Sequence, residues 1–214
     1  MKVLAESFSS LLFPTCCLHC KGALCGDLKL LCQDCLDLIE LIDPKECTAT
    51  RAFCFDYEGP QKSLLTAFKY GDKPYLAKSL ASFMLLQLER LDWTLPDAIT
   101  YIPQSFLRST LRGYNQSKLL AEELARFLDI PCLQLLSRSS FTISQTLLTK
   151  DARKELNGNT FIYKGPPTLD SIRLMLIDDV LTTGTTVDRA CSELMRFLPK
   201  DLTVFCLMRA ESLH

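Results

Sequence analysis

The feature that most constrains this chain is a short segment, residues 174–186, in which an apolar run leads directly into two adjacent acids. The run itself, residues 174–177, contains no polar position, which is typical of a central β-strand covered on both faces. Asp178 and Asp179 follow it, and a threonine-rich turn around Gly184 comes next. Ligands of α/β proteins bind at the carboxyl ends of such strands. The segment therefore predicts a ligand site at the end of a buried strand.

The residue types in this turn predict the chemistry of the ligand. A glycine lets the backbone approach a ligand closely, and threonine hydroxyls and the N–H groups that open the next helix donate to a phosphate. The two carboxylates suit ribose hydroxyls or a magnesium ion. The alternative is an acidic turn after a buried strand, in which Thr185 or Thr186 only caps a helix. The apolar strand, the paired acids and the threonine-rich turn follow one another directly, and this combination favours a phosphorylated ribose as the ligand. The predicted loop residues are Val180, Leu181, Thr182, Thr183, Gly184, Thr185 and Thr186.

Length and composition limit the class of protein to which this chain can belong. With 214 residues, of which 48% are hydrophobic, the chain suits one α/β domain with a small appendage. The formal charge of −1 excludes a uniformly basic surface, so any contact with nucleic acid has to come from a local patch. Residues 1–15 do not match a signal peptide, and no apolar stretch is long enough to cross a bilayer. A cytoplasmic protein without membrane insertion is expected.

Apolar periodicity and breaker residues predict alternating strands and helices after residue 50. We expect strands at residues 51–57, 97–102, 172–177 and 202–208, and helices at residues 61–70, 74–91, 115–128 and 185–198. This alternation is typical of an α/β fold with a doubly wound, mostly parallel sheet. The polar stretch 136–158 has no sustained period and is predicted to be a functional loop.

The N-terminal part contains most of the eleven cysteines. Two C-x-x-C turns supply four thiols, as a structural tetrahedral zinc site requires: Cys17, Cys20, Cys32 and Cys35. A redox pair or unliganded cysteines are the alternatives. Cys16, His19 and Cys25 lie close enough in sequence to replace one of the four. We therefore predict a zinc module at residues 1–50 and a second domain at residues 51–214.

Residues 174–186 also resemble the phosphoribosyl-pyrophosphate signature of type I phosphoribosyltransferases. That resemblance implies the fold of this class, in which a loop grips the 5-phosphate and paired acids bind the ribose 2- and 3-hydroxyls. By the same resemblance Asp178 and Asp179 hold the ribose as the candidate catalytic residues, and residues 182–186 hold the phosphate.

Most of the chain is similar to the ComF competence-protein family. The similarity lies in residues 68–71, 101–103 and 112–116 together with the cysteine cluster, in the same order. Residues 138–157 also resemble the mobile active-site loop of amidophosphoribosyltransferases, which implies a basic lid over the pyrophosphate. The candidate pyrophosphate and lid residues are Lys69, Arg138, Arg153 and Lys154. Lys69 is also placed to complement the dipole at a helix end.

The family resemblance implies a role in DNA uptake and natural transformation, with phosphoribosyl pyrophosphate and Mg²⁺ bound and with phosphoribosyltransferase activity as one expectation. Other DNA-uptake proteins are expected partners. The alternative is a non-catalytic factor that binds single-stranded DNA, because residues 104–121 contain no acid. The candidate contacts are Arg108, Arg112, Tyr114 and Lys118. A pyrophosphate pocket or a solvated face would look the same. A nucleobase-salvage enzyme is disfavoured, since a base-recognition hood has no evident place in the sequence.

Overall fold

The computed structural model of the chain describes residues 16–24, 30–104, 113–138 and 161–210. Six strands are described: β1 (Arg51–Asp56), β2 (Ala98–Tyr101), β3 (Leu136–Arg138), β4 (Phe161–Tyr163), β5 (Arg173–Leu181) and β6 (Asp201–Arg209). The α-helices are α1 (Gln33–Leu36), α2 (Gly59–Tyr70), α3 (Leu76–Arg90), α4 (Gln116–Leu128) and α5 (Thr185–Met195). A 3₁₀ turn spans Pro44–Glu46.

Four of these strands form the central sheet, in the order β1-β6-β5-β2, and all neighbours run parallel. Side chains alternate between two cores along each buried strand. In β5, Met175 and Ile177 join the core that contains α2, α3 and α4, whereas Leu174 and Leu176 join the core that contains α5. Helices therefore cover both faces, and the predicted α/β fold with a parallel, doubly wound sheet is confirmed.

Strand β5 is longer than the sequence pattern predicted. We expected it to end at Ile177, but it continues to Leu181 because β6 extends alongside it, with Asp178 opposite Cys206 and Leu181 opposite Arg209. The two aspartates therefore lie inside the paired part of β5 and not after its end. The backbone that carries them is fixed by hydrogen bonds on the β6 side.

Other predicted boundaries shift by a few residues. Helix α2 begins at Gly59 instead of Gln61, and α5 ends at Met195 instead of Leu198. The four central residues of β1 are all buried, because both faces of the sheet are covered. The stretch predicted as an irregular loop begins with β3, which pairs antiparallel with β4. Residues 139–160 lie outside the described part of the chain.

The cysteine-rich segment packs against the first core. Cys17, Leu31 and Cys35 are buried together with residues of α2 and α3, and His19 Nδ1 lies 3.0 Å from the hydroxyl of Ser63 on α2. The predicted boundary near residue 50 stays a prediction. Among the described residues, no helix has both the length and the apolar character that a bilayer crossing requires.

Candidate functional site

The threonine-rich turn after β5 is shaped by Gly184. Its φ of 77° lies in the left-handed region, where a residue with a Cβ would be strained. Gly184 is also the N-cap of α5, so neither Thr185 nor Thr186 caps this helix as the alternative interpretation proposed. A glycine cap has no side chain to occupy the first N–H groups of the helix. The turn therefore leaves backbone donors at the positive end of the α5 dipole.

The first turn of α5, next to this threonine-rich turn, contains one partner of an ion pair. Arg51 Nη2 contacts Asp188 Oδ1 at 2.6 Å, and Asp188 is in the first turn of α5. A carboxylate in that place would repel a bound anion, and the guanidinium of Arg51 offsets its charge. Sequence patterns did not single out Arg51, because the partner lies 137 residues away along the chain.

The two aspartates at the end of β5 have different partners. Asp179 Oδ2 lies 3.0 Å from Lys69 Nζ, and both side chains are mostly buried, with exposed fractions of 13% for Lys69 and 17% for Asp179. Asp178 Oδ1 accepts hydrogen bonds from the hydroxyl of Ser117 at 2.8 Å and from the backbone N–H of Asp179 at 2.9 Å. Lys69 therefore lies beside the two adjacent carboxylates and neutralises one of them, and its role toward pyrophosphate stays a prediction.

Burial governs the protonation of Asp178. The pKa of this carboxyl is raised to about 7, first by burial and then by the neighbouring charge of Asp179. The hydrogen bond from Ser117, the N–H of Asp179 and the charge of Lys69 act in the opposite direction. These donors keep the ionised form accessible near neutral pH, at which a carboxylate can accept hydrogen bonds from a polyol ligand.

One wall beside the aspartates comes from β2 and α4. Asn115 caps α4 by accepting from the backbone N–H of Lys118, and its Nδ2 donates to the carbonyl oxygen of Ile102 at 3.1 Å. Gln104 Nε2 donates to Gln116 Oε1 at 2.7 Å. One buried amide atom of each residue, Oε1 of Gln104 and Nε2 of Gln116, has no hydrogen-bond partner among the described residues. This wall is polar and is held to the end of β2.

Arg138 and Tyr57 complete the surroundings. Arg138 Nε donates to the carbonyl oxygen of Pro103 at 2.7 Å, and its guanidinium lies over the ring of Phe161. On the other side of β5, the N–H of Tyr57 donates to the carbonyl oxygen of Arg209, and Lys62 Nζ lies 4.8 Å from the centre of the Tyr57 ring.

These elements enclose a cavity of about 400 Å³ at the carboxyl end of the sheet. Its lining residues are Tyr57, Lys69, Ile102, Pro103, Gln104, Asn115, Gln116, Ser117, Arg138, Asp178, Asp179, Val180, Leu181, Thr182, Thr183, Gly184, Thr186, Val187 and Ala210. The cavity unites the predicted aspartates and loop with Lys69 and Arg138. Thr185 is not in the lining, but its hydroxyl lies 3.2 Å from that of Thr183.

The remaining predicted residues fall into two groups. Tyr114 and Lys118 lie outside the cavity lining: the Tyr114 hydroxyl donates to the carbonyl oxygen of Phe68, and Lys118 pairs with Glu122 across one turn of α4. The others lie outside the described residues, namely Arg108, Arg112, Arg153 and Lys154. Roles in nucleic-acid contact or in a lid stay predictions for all of them.

Sequence reasoning missed Ser117 and Tyr57 as cavity residues. Asn115 is a strong N-cap residue, and this signal alone places residue 117 in the first turn of a helix at the edge of the site. Tyr57 follows β1, and a parallel sheet brings the ends of β1 and β5 to the same edge. The position of Tyr57 near the end of β5 depends on the order of strands in the sheet, and local sequence patterns do not reveal that order.

The four cysteines of the two C-x-x-C turns come together as predicted. Their sulfur atoms all lie within 4.8 Å of one another, and Cys20 Sγ and Cys32 Sγ are 3.6 Å apart. Four thiolates around Zn²⁺ at about 2.3 Å have sulfurs about 3.8 Å apart, so the cluster fits a tetrahedral ion after a small contraction. Among the described residues, neither Cys16 nor His19 belongs to this group, and Cys25 lies outside them.

Local backbone geometry builds the cluster. In the first turn, the N–H of Cys17 donates to the carbonyl oxygen of Gly22, and the N–H of Gly22 points at Cys20 Sγ, 3.4 Å away. Burial raises the pKa of Cys35 to about 12, together with its hydrogen bonds to the other thiols of the cluster. Burial acts in the same sense on Cys17, but hydrogen bonds from nearby backbone groups outweigh it and lower the pKa of that thiol to about 6. A divalent cation would favour the thiolate form of all four.

Comparison with known proteins identifies the family. No protein-family model matches the chain. Competence protein F of Haemophilus influenzae is 32% identical over 160 residues, which are 72% of this chain and 70% of that protein. DNA utilization protein YhgH of Escherichia coli is 31% identical over 159 residues, 72% of this chain and 69% of that protein. The chain belongs to the competence protein F family, and the resemblance predicted from its sequence is confirmed.

More distant relatives and solved structures are also similar. Competence protein ComFC of Streptococcus pneumoniae is 27% identical over 192 residues, 89% of this chain and 80% of that protein. The glutamine phosphoribosylpyrophosphate amidotransferase of B. subtilis has a TM-score of 0.41 at 17% identity, over 64% of this chain and 26% of that chain. Adenine phosphoribosyltransferase of Leishmania donovani has a TM-score of 0.41 at 16% identity, over 77% of this chain and 85% of that chain. The family assignment rests on the sequence relatives.

The raised pKa of Asp178 predicts how stability depends on pH. The folded protein retains the Asp178 proton up to about pH 7, whereas the ordinary carboxyl value is 3.8. The stabilisation from this bound proton is complete below pH 3.8 and is lost as pH rises through about 7. Asp178→Asn should therefore raise the free energy of unfolding at pH 8 by about 1–3 kcal/mol, and by less at pH 5.

Urea unfolding of both proteins at pH 5 and pH 8 measures this difference. Asp170→Asn, at an exposed position, is the matched control and should change stability equally at both pH values. A gain from Asp178→Asn that does not grow with pH would contradict the assignment of a burial-raised pKa to this residue.

Proposed function

We propose that this chain binds phosphoribosyl pyrophosphate with Mg²⁺ in the cavity at the carboxyl end of β5, and that it serves DNA uptake and natural transformation in the cytoplasm. One observation carries the proposal: two adjacent carboxylates and a glycine-capped helix N-terminus face the same cavity of about 400 Å³. A small molecule that presents both hydroxyl donors and a phosphate would satisfy both features. A phosphorylated ribose has both.

The phosphate part of the ligand fits the turn after β5. Gly184 exposes the first N–H groups of α5, and the threonine hydroxyls beside it add donors to an anion. Arg51 neutralises Asp188 behind the turn, which removes the nearest carboxylate charge in α5. The 5-phosphate would bind here, with residues 182–186 around it.

The ribose part fits Asp178 and Asp179. Neighbouring hydroxyls on one ring face can each donate to a separate carboxylate, and such charge-assisted hydrogen bonds are stronger than neutral ones. The distance from the carboxylates to the phosphate turn along β5 is short, since three residues separate Asp179 from Thr183. Asp178 and Asp179 both line the cavity, so their carboxylates can accept from two hydroxyls of one sugar.

The pyrophosphate part would lie against the cationic side chains of the cavity. Lys69 and Arg138 line it, and Arg153 and Lys154 are proposed to belong to a lid over it. Mg²⁺ bound to the pyrophosphate oxygens would reduce their charge and favour departure of this group. In the transfer reaction, an acceptor forms a bond to C1 of the ribose while the bond from C1 to the pyrophosphate oxygen breaks, and the pyrophosphate leaves with the electron pair. Lys69 would stabilise the charge of the departing group.

The role in DNA uptake is proposed from the relatives. Two of the similar proteins are named competence proteins, and one is named a DNA utilization protein. Turnover of phosphoribosyl pyrophosphate is compatible with that role, and so is binding of the ligand as a signal. Other DNA-uptake proteins are the expected partners.

Calorimetric titration with phosphoribosyl pyrophosphate and Mg²⁺ tests the proposed site. The double variant Asp178→Asn with Asp179→Asn should weaken binding at least ~100-fold, because it removes two charge-assisted hydrogen bonds to the ribose. The exposed variant Asp170→Asn should bind like the unchanged protein. Equal affinity of the double variant and the control would exclude these carboxylates as the ribose site. Release of pyrophosphate with pooled acceptors in the same samples tests turnover.

We also propose that the four clustered cysteines hold a structural zinc ion. The closed set of four sulfur ligands leaves no coordination position for a substrate, and the cluster joins the core beside α2. Its role would be to stabilise the fold of the N-terminal segment.

Elemental analysis of the purified protein tests this proposal. About one zinc ion per chain is expected, and Cys17→Ser should lose it together with several degrees of thermal stability, because the ion supplies folding free energy. Cys191→Ser, which changes a cysteine outside the cluster, should retain the metal. A metal-free protein with unchanged stability on addition of zinc would contradict the proposal.

A non-catalytic factor that binds single-stranded DNA is the second candidate, and a surface at the α2–α3 corner favours it. Tyr70 and Tyr75 are exposed, at 69% and 39%, and Lys73 Nζ lies 5.8 Å from the centre of the Tyr75 ring. Residues 59–78 contain four lysines and one acid, although the whole chain has a net charge of −1. Tyr114 packs against Phe68 beside this corner. Aromatic rings among lysines are typical of surfaces that bind single strands.

Fluorescence anisotropy with a labelled oligothymidylate tests this candidate. The double variant Tyr70→Ala with Tyr75→Ala should weaken binding ~10-fold or more, because each stacked base contributes about 1–3 kcal/mol. Affinity should also fall steeply with salt. Phe127→Ala, at an exposed aromatic residue on α4, is the control. Unchanged affinity of the double tyrosine variant would remove this surface from consideration.

A further inference from the structure

The two aspartates of the site are held from two different helices. Lys69 of α2 contacts Asp179, whereas Ser117 of α4 contacts Asp178. The first contact is an ion pair, and the second is a hydrogen bond from a neutral hydroxyl. A pyrophosphate anion can attract the Lys69 ammonium away from Asp179. Its attraction for the neutral hydroxyl of Ser117 is much weaker. The contact with Ser117 is therefore the one suited to persist when ligand binds.

Ser117 is fixed in place before any ligand arrives. It lies in the first turn of α4 and is buried. The N-cap Asn115 joins this turn to the end of β2 through its hydrogen bond to the carbonyl oxygen of Ile102. Strand β2 in turn pairs with β5, with Tyr101 opposite Ile177. Ser117 and Asp178 are thus connected by a short, rigid route through the sheet as well as by their direct contact.

The hydrogen bonds of Asp178 are unequally divided between its two oxygens. The hydroxyl of Ser117 and the backbone N–H of Asp179 both donate to Oδ1, at 2.8 Å and 2.9 Å. Among the described residues, no donor reaches Oδ2 of Asp178 within hydrogen-bond distance. A carboxylate with one oxygen held by two donors has a fixed plane, and the remaining oxygen then points in a defined direction.

We infer that Ser117 is a positioning residue, which fixes Asp178 so that Oδ2 accepts a hydrogen bond from a ribose hydroxyl and so selects for a hydroxylated sugar. The inference rests on the proposed function of the cavity. Ser117 would act through Asp178 and would not touch the ligand itself. Loss of the Ser117 hydroxyl would let the Asp178 carboxylate rotate. The hydrogen bond from a sugar hydroxyl would then contribute less binding energy, whereas phosphate binding would not change, so Ser117 contributes to specificity.

A pair of ligands separates this role from a merely structural one. Calorimetry compares ribose 5-phosphate with 2,3-dideoxyribose 5-phosphate, which keeps the phosphate but lacks both hydroxyls. The unchanged protein should prefer ribose 5-phosphate. Ser117→Ala should reduce that preference about tenfold, as expected for one hydrogen bond to a charged group. Ser117→Thr, which retains a hydroxyl, should restore it, and Ser117→Cys, a weak donor of similar size, should give an intermediate ratio.

The outcomes distinguish the inference from the function on which it rests. If the unchanged protein binds neither ribose 5-phosphate nor phosphoribosyl pyrophosphate with Mg²⁺, the proposed function fails and the inference fails with it. If the unchanged protein prefers ribose 5-phosphate and both Ser117→Ala and Ser117→Cys keep the full preference, the inference alone is overturned. A variant that weakens both ligands equally would show a structural role for Ser117 and would also overturn it.

Discussion

Two adjacent carboxylates at the end of a buried strand are the arrangement on which the rest of the site depends. Burial of Asp178 opposes its ionisation, and the like charge of Asp179 adds to that effect. The protein offsets this cost with Lys69 from one helix and Ser117 from another. The fold must therefore bring α2 and α4 to the same edge of the sheet, and the strand order β1-β6-β5-β2 does so.

The N-terminal segment is connected to this arrangement through α2. Cys17 and Cys35 are buried in the same core as Phe68, and His19 contacts Ser63 on α2. Lys69 follows Phe68 on that helix and reaches Asp179. A metal ion in the cysteine cluster would thus stabilise the surface against which α2 packs. The N-terminal segment would then help to position a cavity residue, although its cysteines do not line the cavity.

Local sequence patterns were sufficient to predict elements whose signals are contained within a short stretch. Apolar runs gave the parallel strands, Asn115 marked the start of α4, and the spacing of Cys17, Cys20, Cys32 and Cys35 predicted their cluster. The end of β5 was misplaced, because its extension depends on pairing with β6. Ser117 and Arg51 were missed for the same reason: the partners of both lie more than 60 residues away, at Asp178 and Asp188.

A crystal structure of the protein with phosphoribosyl pyrophosphate and Mg²⁺ tests most directly whether the cavity binds a phosphorylated ribose in one orientation. We expect the 5-phosphate at about 3 Å from backbone N–H groups of residues 183–186, and the ribose hydroxyls at hydrogen-bond distance from Asp178 and Asp179. A ligand bound with its phosphate away from this turn, or with its hydroxyls away from both carboxylates, would contradict the account.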